Sequence, residues 1–255
     1  MKIKSITVAF LACALISGCF RDNERVSQFS TINALMAGCY QGQFKCADLT
    51  RMGNFGIGTF DKLDGEMVLL DGTVYQVKSD GSVCPVSKNL LTPFAVVTSF
   101  SSDYQIKLKG NYNFLELQKQ IDSRLTGRNI FYAIRIDSRF EYVRTRSVPA
   151  QQKPYPKLTE VVKDQPVFET TDTSGILVGF KCPDYIFPLN VPGYHLHFIS
   201  AKRNFGGHLL ECRARDPVIK IDYIRQFELM LPPGGDFDST DLRISDQNSL
   251  NKAEK

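Results

Sequence analysis

Most of this chain alternates apolar and polar residues with a period of two, and only three stretches fall into a helical period. Period-two alternation sends successive side chains to opposite faces of a strand, so the chain reads mainly as half-buried β-structure. Apolar runs at residues 66–70 and 73–77 flank Asp71-Gly72, a dipeptide suited to a tight hairpin turn. Residues 92–100 predict another strand. Residues 129–136 and 139–148 predict a strand pair folded about Asp137-Ser138. Further strands are expected over 176–180, 194–199, 218–224 and 226–231. The helical stretches are shorter. Ile32, Leu35, Met36 and Cys39 share a face over 30–39, and Phe114, Leu115, Leu117 and Ile121 share one over 112–125. Leu158, Val161 and Val162 mark a third helix after the proline-bearing connection 151–156. The class is α+β, mostly strands, with a natural break around 150–170 and no internal repeat.

The ends carry a different pattern. Lys2 and Lys4 precede a short apolar run over 6–16, and Leu15-Ile16-Ser17-Gly18-Cys19 resembles the lipobox of bacterial lipoproteins. The run is too short for a spanning helix, which needs about 20 residues. The expectation is a signal peptide over 1–18, lipidation of Cys19, and an exported protein anchored at the periplasmic face or the outer membrane. Polar residues 21–28 read as part of a tether over 19–30. Pro232-Pro233-Gly234-Gly235 closes the compact part, and the last twenty residues are polar enough to read as a solvated tail.

Composition narrows the function. Without Lys2 and Lys4, 29 of the 31 basic residues remain against 27 acidic ones, near neutrality. No basic run is present, so nucleic acid is excluded as a partner. Beyond Cys19 the cysteines are Cys39, Cys46, Cys84, Cys182 and Cys212. Their odd number forbids complete internal pairing, and none stands at metal-finger spacing, so they read as packing or disulfide residues, their pairing open.

All three histidines fall within fourteen positions, at His195, His197 and His208. Neutral imidazole is the commonest nitrogen ligand of catalytic metals, and three protein ligands with an open position suit a catalytic zinc. The phasing fits. His195 and His197 are two apart in a strand and share a face. Lys202 to Gly207 carries turn chemistry, so a hairpin folded near Lys202–Arg203 returns His208 opposite His197. Zinc is the expected metal, although iron, copper and nickel also accept imidazole.

Longer segments resemble α-acetolactate decarboxylases. They are Gly58-Thr59-Phe60-Asp61-Lys62-Leu63-Asp64-Gly65-Glu66-Met67, Asp71-Gly72-Thr73-Val74-Tyr75-Gln76, Thr92-Pro93-Phe94-Ala95, Asn129-Ile130-Phe131-Tyr132-Ala133-Ile134, Val143-Arg144-Thr145-Arg146, Lys153-Pro154-Tyr155, Val191-Pro192-Gly193-Tyr194-His195-Leu196-His197-Phe198 and Gly206-Gly207-His208. The resemblance covers the chain from about residue 30. It implies a zinc-type metal on His195, His197 and His208, and conversion of 2-acetolactate to (R)-acetoin and carbon dioxide. It implies Glu66 as the acid beside the metal, Arg146 as the cation near the substrate, and Glu254 as a second acid carried back by the tail. It also implies a homodimer. The expected organisation is a mixed-sheet N-terminal domain over 31–165 and a small barrel-like C-terminal β domain over 166–235 that carries the histidines. The tail over 236–255 then returns to the site.

The chemistry suits these residues. Loss of carbon dioxide from a β-keto acid leaves negative charge on an enolate, which a Lewis acid stabilises without an organic cofactor. Arg146 orients a carboxylate, Glu66 or Glu254 handles a proton, and Thr59 hydrogen-bonds substrate in this scheme. Metal-dependent hydrolases and dioxygenases on a cupin barrel also begin with His-x-His. They need a glutamate three or four positions beyond it, where Ser200 and Ala201 stand. The alternative outside enzymes is a regulatory metal-binding module with a similar His-Leu-His…Gly-Gly-His pattern. Such modules lack the Gly-Glu-Met and Lys-Pro-Tyr segments.

Overall fold

The computed structural model describes residues 24–243 and 247–254. In chain order its first half runs β1 (Arg25–Phe29), α1 (Ile32–Met36), β2 (Phe44–Lys45), α2 (Cys46–Met52), β3 (Phe55–Thr59), β4 (Glu66–Leu70), β5 (Thr73–Val77), β6 (Val83–Pro85), β7 (Leu91–Thr92), β8 (Ala95–Thr98), β9 (Tyr104–Lys107), β10 (Asn111–Asn113) and α3 (Phe114–Asp122). The second half holds β11 (Phe131–Arg146), α4 (Leu158–Val161), β12 (Val167–Cys182), β13 (Gly193–Ser200), β14 (Gly206–Ile224), β15 (Gln226–Met230), α5 (Asp236–Ser239) and α6 (Gln247–Glu254).

Two sheets carry the fold, in the order β15-β1-β8-β3-β4-β5-β6 and β10-β14-β11-β12-β13. Strand β9 pairs with β14 in the second sheet, and β13 also pairs with β14. The alternation read in the sequence sorts side chains between layers. Val68 and Leu70 of β4 enter the same apolar cluster as Val178 and Phe180 of β12, between the sheets. Met67 and Leu69 face the opposite way, into a cluster with Leu49 of α2. Leu196 and Phe198 of β13 pack outward with Leu117 and Ile121 of α3. The mixed α+β class therefore stands. Sheet membership does not follow chain order: β9, β10 and β11 join the second sheet, and β15 returns to the first.

Several local expectations change. Residues 21–28 are no tether where they are described. Strand β1 lies between β8 and β15, and Ser27 and Gln28 are buried. Their donors are satisfied, because Gln28 Nε2 donates to the carbonyls of Ser30 and Leu189 and Ser27 donates to Glu228. Asp137-Ser138 is not a turn either. Strand β11 runs through it with β12 and β14 on its two sides, and only a register shift against β14 marks the place. Arg135, two residues away on the same face, pairs with Asp137 at 2.9 Å, so the acid is satisfied inside the strand. The helix expected from residue 112 begins at Phe114. Asn113 caps it, accepting from Glu116 N while the Glu116 carboxylate accepts from Asn113 N. Leu117 and Ile121 are buried in the core, half-buried Phe114 packs against it, and Leu115, 59% exposed, alone of the four faces away. The five cysteines are free thiols, and four of them are buried, which makes them packing residues.

The tail departs most from what its polar composition alone implied. Leu250 and Ala253 lie three apart on one face of α6 and are buried among Ile32, Leu35, Leu158 and Val161. Burying a leucine side chain contributes about 1.5–3 kcal/mol, which anchors this short helix despite its polar sequence.

Candidate metal centre

Strand register assembles the centre. His197 of β13 is the cross-strand partner of His208 of β14, and His208 is the partner of Arg146 at the end of β11. Directly opposed residues share a face, so Arg146, His208 and His197 project together. His195, two positions before His197, joins them. The phase that sends Leu196 and Phe198 outward sends these imidazoles between the sheets. Gly207 makes the crossing possible. Its φ is +131°, and a Cβ there would stand 2.5 Å from the Arg146 carbonyl oxygen.

Across the gap, Glu66 opens β4 with the same phase as Val68 and Leu70, and Thr59 ends β3 opposite it. Helix α6 brings Glu254 in from the end of the chain. The three histidines offer ligand atoms within 4.8 Å of one another. Their ring centroids are 5.0–5.4 Å apart. All seven expected site residues are buried and line one cavity of about 30 Å³, on the scale of one or two water molecules.

Burial sets the charges. Desolvation holds His195 down at about 3, with the Arg146 charge adding to the effect. His197 and His208 lie well below the usual imidazole range for the same leading reason. The rings are therefore neutral, as ligands must be. His197 Nδ1 stands 2.8 Å from the Met67 carbonyl oxygen. A carbonyl only accepts, so Nδ1 carries the proton and the Nε2 lone pair faces the cavity. That Nε2, and Nδ1 of His195, are buried with no hydrogen-bond partner among the described residues. An unsatisfied His197 Nε2 beside two further buried imidazoles, with ligand atoms all within 4.8 Å of one another, fits a bound cation better than packing, because burying it unpaired is costly.

The acids and the cation form one network. Arg146 Nη1 lies 3.8 Å from Glu66 Oε1, and Nη2 lies 3.9 Å from Glu254 Oε2. Glu66 Oε2 is 3.5 Å from His197 Nε2, and Glu254 Oε2 is 3.4 Å from His195 Nε2. Burial lifts the Glu66 carboxyl to about 7, against the pull of Arg146 and with a push from Glu254. Burial also raises Glu254, again opposed by Arg146. Thr59 donates its hydroxyl proton to the Gly65 carbonyl at 2.7 Å, leaving only its lone pairs for a ligand.

Sequence reasoning missed the polar partners of Arg146 and His197. Gln165 accepts from Arg146 Nη1 at 2.9 Å, the Ala253 carbonyl accepts from Nη2, and the Met67 carbonyl holds His197. Two of these are main-chain atoms, and side-chain identity carries no signal for them.

Three neutral imidazoles between two acids and a buried guanidinium, in an α+β fold, make a site that could hold a metal ion, of the kind found in enzymes. The model of the family "Alpha-acetolactate decarboxylase" matches residues 26–244. The chain belongs to the alpha-acetolactate decarboxylase family and is a carboxy-lyase. It is 46% identical over 228 residues to an alpha-acetolactate decarboxylase of Methanosarcina mazei, covering 89% of this chain and 79% of that protein. It is 42% identical over 233 residues to one of Methylococcus capsulatus, covering 91% and 90%. The crystal structure of the Bacillus subtilis strain 168 enzyme superposes with a TM-score of 0.88 at 39% identity, over 90% of this chain and 99% of that one.

The comparisons also correct the expectation of an exported, lipid-anchored protein. The relatives are aligned as the enzyme itself, and the family match starts at residue 26, downstream of the leader-like segment. No helix among the described residues is long and apolar enough to cross a membrane. Residues 1–18 and Cys19 lie outside the described residues. The lipobox resemblance rests on a few short, common residue types, and the envelope location is not retained.

Proposed function

We propose that this chain decarboxylates 2-acetolactate to (R)-acetoin and carbon dioxide at a divalent metal, with zinc as the first candidate, held by His195, His197 and His208. The observation that carries this reading is the cluster of three buried imidazoles with ligand atoms within 4.8 Å of one another, the His197 Nε2 unpaired, in a chain of this family. A cation there supplies Lewis-acid stabilisation of the charge that develops on the substrate oxygens. The chain's own residues do the rest. Arg146 receives the substrate carboxylate, a task suited to a planar guanidinium. Cleavage of the bond to that carboxylate moves its electron pair into the neighbouring ketone as an enolate. One proton must then reach the carbon that lost carbon dioxide, and solvent later replaces it. Glu66, half protonated near pH 7, suits that delivery, with Glu254 as the second acid of the network. Thr59 accepts a hydrogen bond from the substrate hydroxyl. Leu63, Phe94 and Val148 form the apolar wall against its methyl groups.

The site lies between an N-terminal mixed-sheet unit and a barrel-like C-terminal unit in this proposal. Pairing of β13 with both β12 and β14, while β14 also pairs β11, supports the barrel-like description. The homodimer is likewise part of the proposal, supported by the open β15 edge of the first sheet and by Leu231, 55% exposed just beyond it.

The decisive experiment is acetoin formation from racemic acetolactate by protein stripped of metal and then reloaded. Activity is expected to vanish on stripping and return with one equivalent of metal. Turnover by the stripped protein, or none after reloading, refutes the reading. Glu66→Gln is expected to lower kcat about 10²–10⁴-fold, the usual contribution of a positioned acid. The same substitution has an opposite effect on stability. An acid raised to about 7 when folded keeps a proton that the unfolded chain releases near 4.5, so stability falls as pH rises through that window. Glutamine removes this slope. Above pH 7 the metal-free variant should therefore melt no lower than the parent, as differential scanning calorimetry would detect.

A further inference from the structure

We infer that the main-chain carbonyl of Glu254 is a positioning group for the metal, acting through His208 and not through the Glu254 side chain. The inference rests on the three-histidine reading of the centre. The Glu254 carbonyl oxygen stands 3.2 Å from His208 Nε2. A carbonyl accepts and never donates, so Nε2 holds the ring proton and Nδ1 presents its lone pair to the cavity. Metal-bound histidines usually donate their other N–H to such a partner, which sets both tautomer and ring orientation.

The three histidines differ in how this support is supplied. His197 takes its partner from Met67 in β4, bonded on both sides within the seven-stranded sheet. His195 has no partner at Nδ1 among the described residues. His208 alone depends on the last turn of a terminal helix. The same turn is bonded to Arg146 through the Ala253 carbonyl, so one docking event orients a metal ligand and the site cation together. His208 and Glu254 also form the wall between the metal cavity and an outer groove of about 400 Å³ lined by Phe114, Tyr194 and Leu196. When α6 leaves, His208 loses its tautomer and the metal gains a path to solvent. Metal retention is thereby coupled to docking of the C-terminus.

Two substitutions in the full-length chain undock the turn. Leu250→Asp places a charge at the buried anchor. Lys252→Pro acts at an exposed position and breaks the last turn, which spares the core if the first variant folds poorly. Each is expected to weaken zinc about ten- to a hundredfold in competition with a chromogenic chelator, the usual cost of losing such a partner. In the metal-free protein, nitrogen-15 spectra should show His208 as the Nε2–H tautomer in the parent and as a mixture of tautomers in both variants. Glu254→Gln keeps the carbonyl and should keep the Nε2–H form. Unchanged zinc affinity, or an unchanged His208 tautomer in both variants, overturns the inference while leaving the three-histidine site intact. A parent protein that binds no stoichiometric zinc overturns the site itself.

Discussion

His197→Ala is expected to lose the metal and to lower acetoin formation by at least about a thousandfold, the scale of removing a charge-stabilising element from a buried site. His197 is one corner of the triangle, 1% exposed, with its tautomer set by the Met67 carbonyl. Alanine removes one of the three proposed ligands and no backbone hydrogen bond of β13, so the strand itself should survive. The check uses linkage. A metal that binds only the folded state stabilises it, so a chelator should lower Tm in the parent and leave Tm unchanged in the variant. One equivalent of metal retained by the variant, or turnover within about tenfold of the parent, would contradict the assignment of His197, since such a ligand loss falls far outside that range.

Arg146→Met should damage both turnover and stability. The guanidinium is 4% exposed and lies between Glu66 and Glu254, so its removal leaves two buried acids without their counter-charge. Breaking a buried ion pair from one side costs about 3–5 kcal/mol. Arg146 lowers the pKa of both acids, so its loss raises them further. Groups whose folded pKa exceeds the unfolded value hold protons that the unfolded chain has released. Stability of the variant must then fall as pH rises from about 4.5, with the deficit smallest in acid and largest in alkali. Urea titrations of metal-free protein across pH 5–9 would measure it; a deficit that grows towards acid would contradict the arrangement. Turnover should fall at least about a hundredfold, as for loss of one preorganised donor. Arg146→Lys restores charge but not the fork that reaches both acids and the Ala253 carbonyl, and should recover only part of the loss.

These effects depend on contacts of unequal legibility. The histidine hairpin was readable because its signal is local. A period of two, a turn of polar residues and a return of comparable length set the His197–His208 opposition within a dozen positions. The hairpin at Asp71-Gly72 was readable for the same reason, and it put Glu66 at the start of a strand. By contrast β1 was hidden, because Ser27 and Gln28 are polar and their burial depends on partners at Glu228 and Leu189. Asp137-Ser138 misled because an acid inside a strand imitates a turn unless the neighbouring Arg135 is seen to pair with it.

The amino-acid pattern by itself determined the mixed α+β class, the three imidazoles on one face of a strand pair and, through the family's motifs, the candidacy of Glu66 and Arg146. Those properties follow from side-chain periodicity and short-range spacing. Tertiary structure alone decided that β11 is one strand, that it sets Arg146 beside His208, and that burial lifts Glu66 towards neutrality while keeping the histidines uncharged. It alone turned a polar terminal segment into a docked helix whose carbonyl holds a candidate ligand. The physical reason is that desolvation, cross-strand register and main-chain hydrogen bonds arise between residues distant in sequence, and a main-chain carbonyl is the same at every residue.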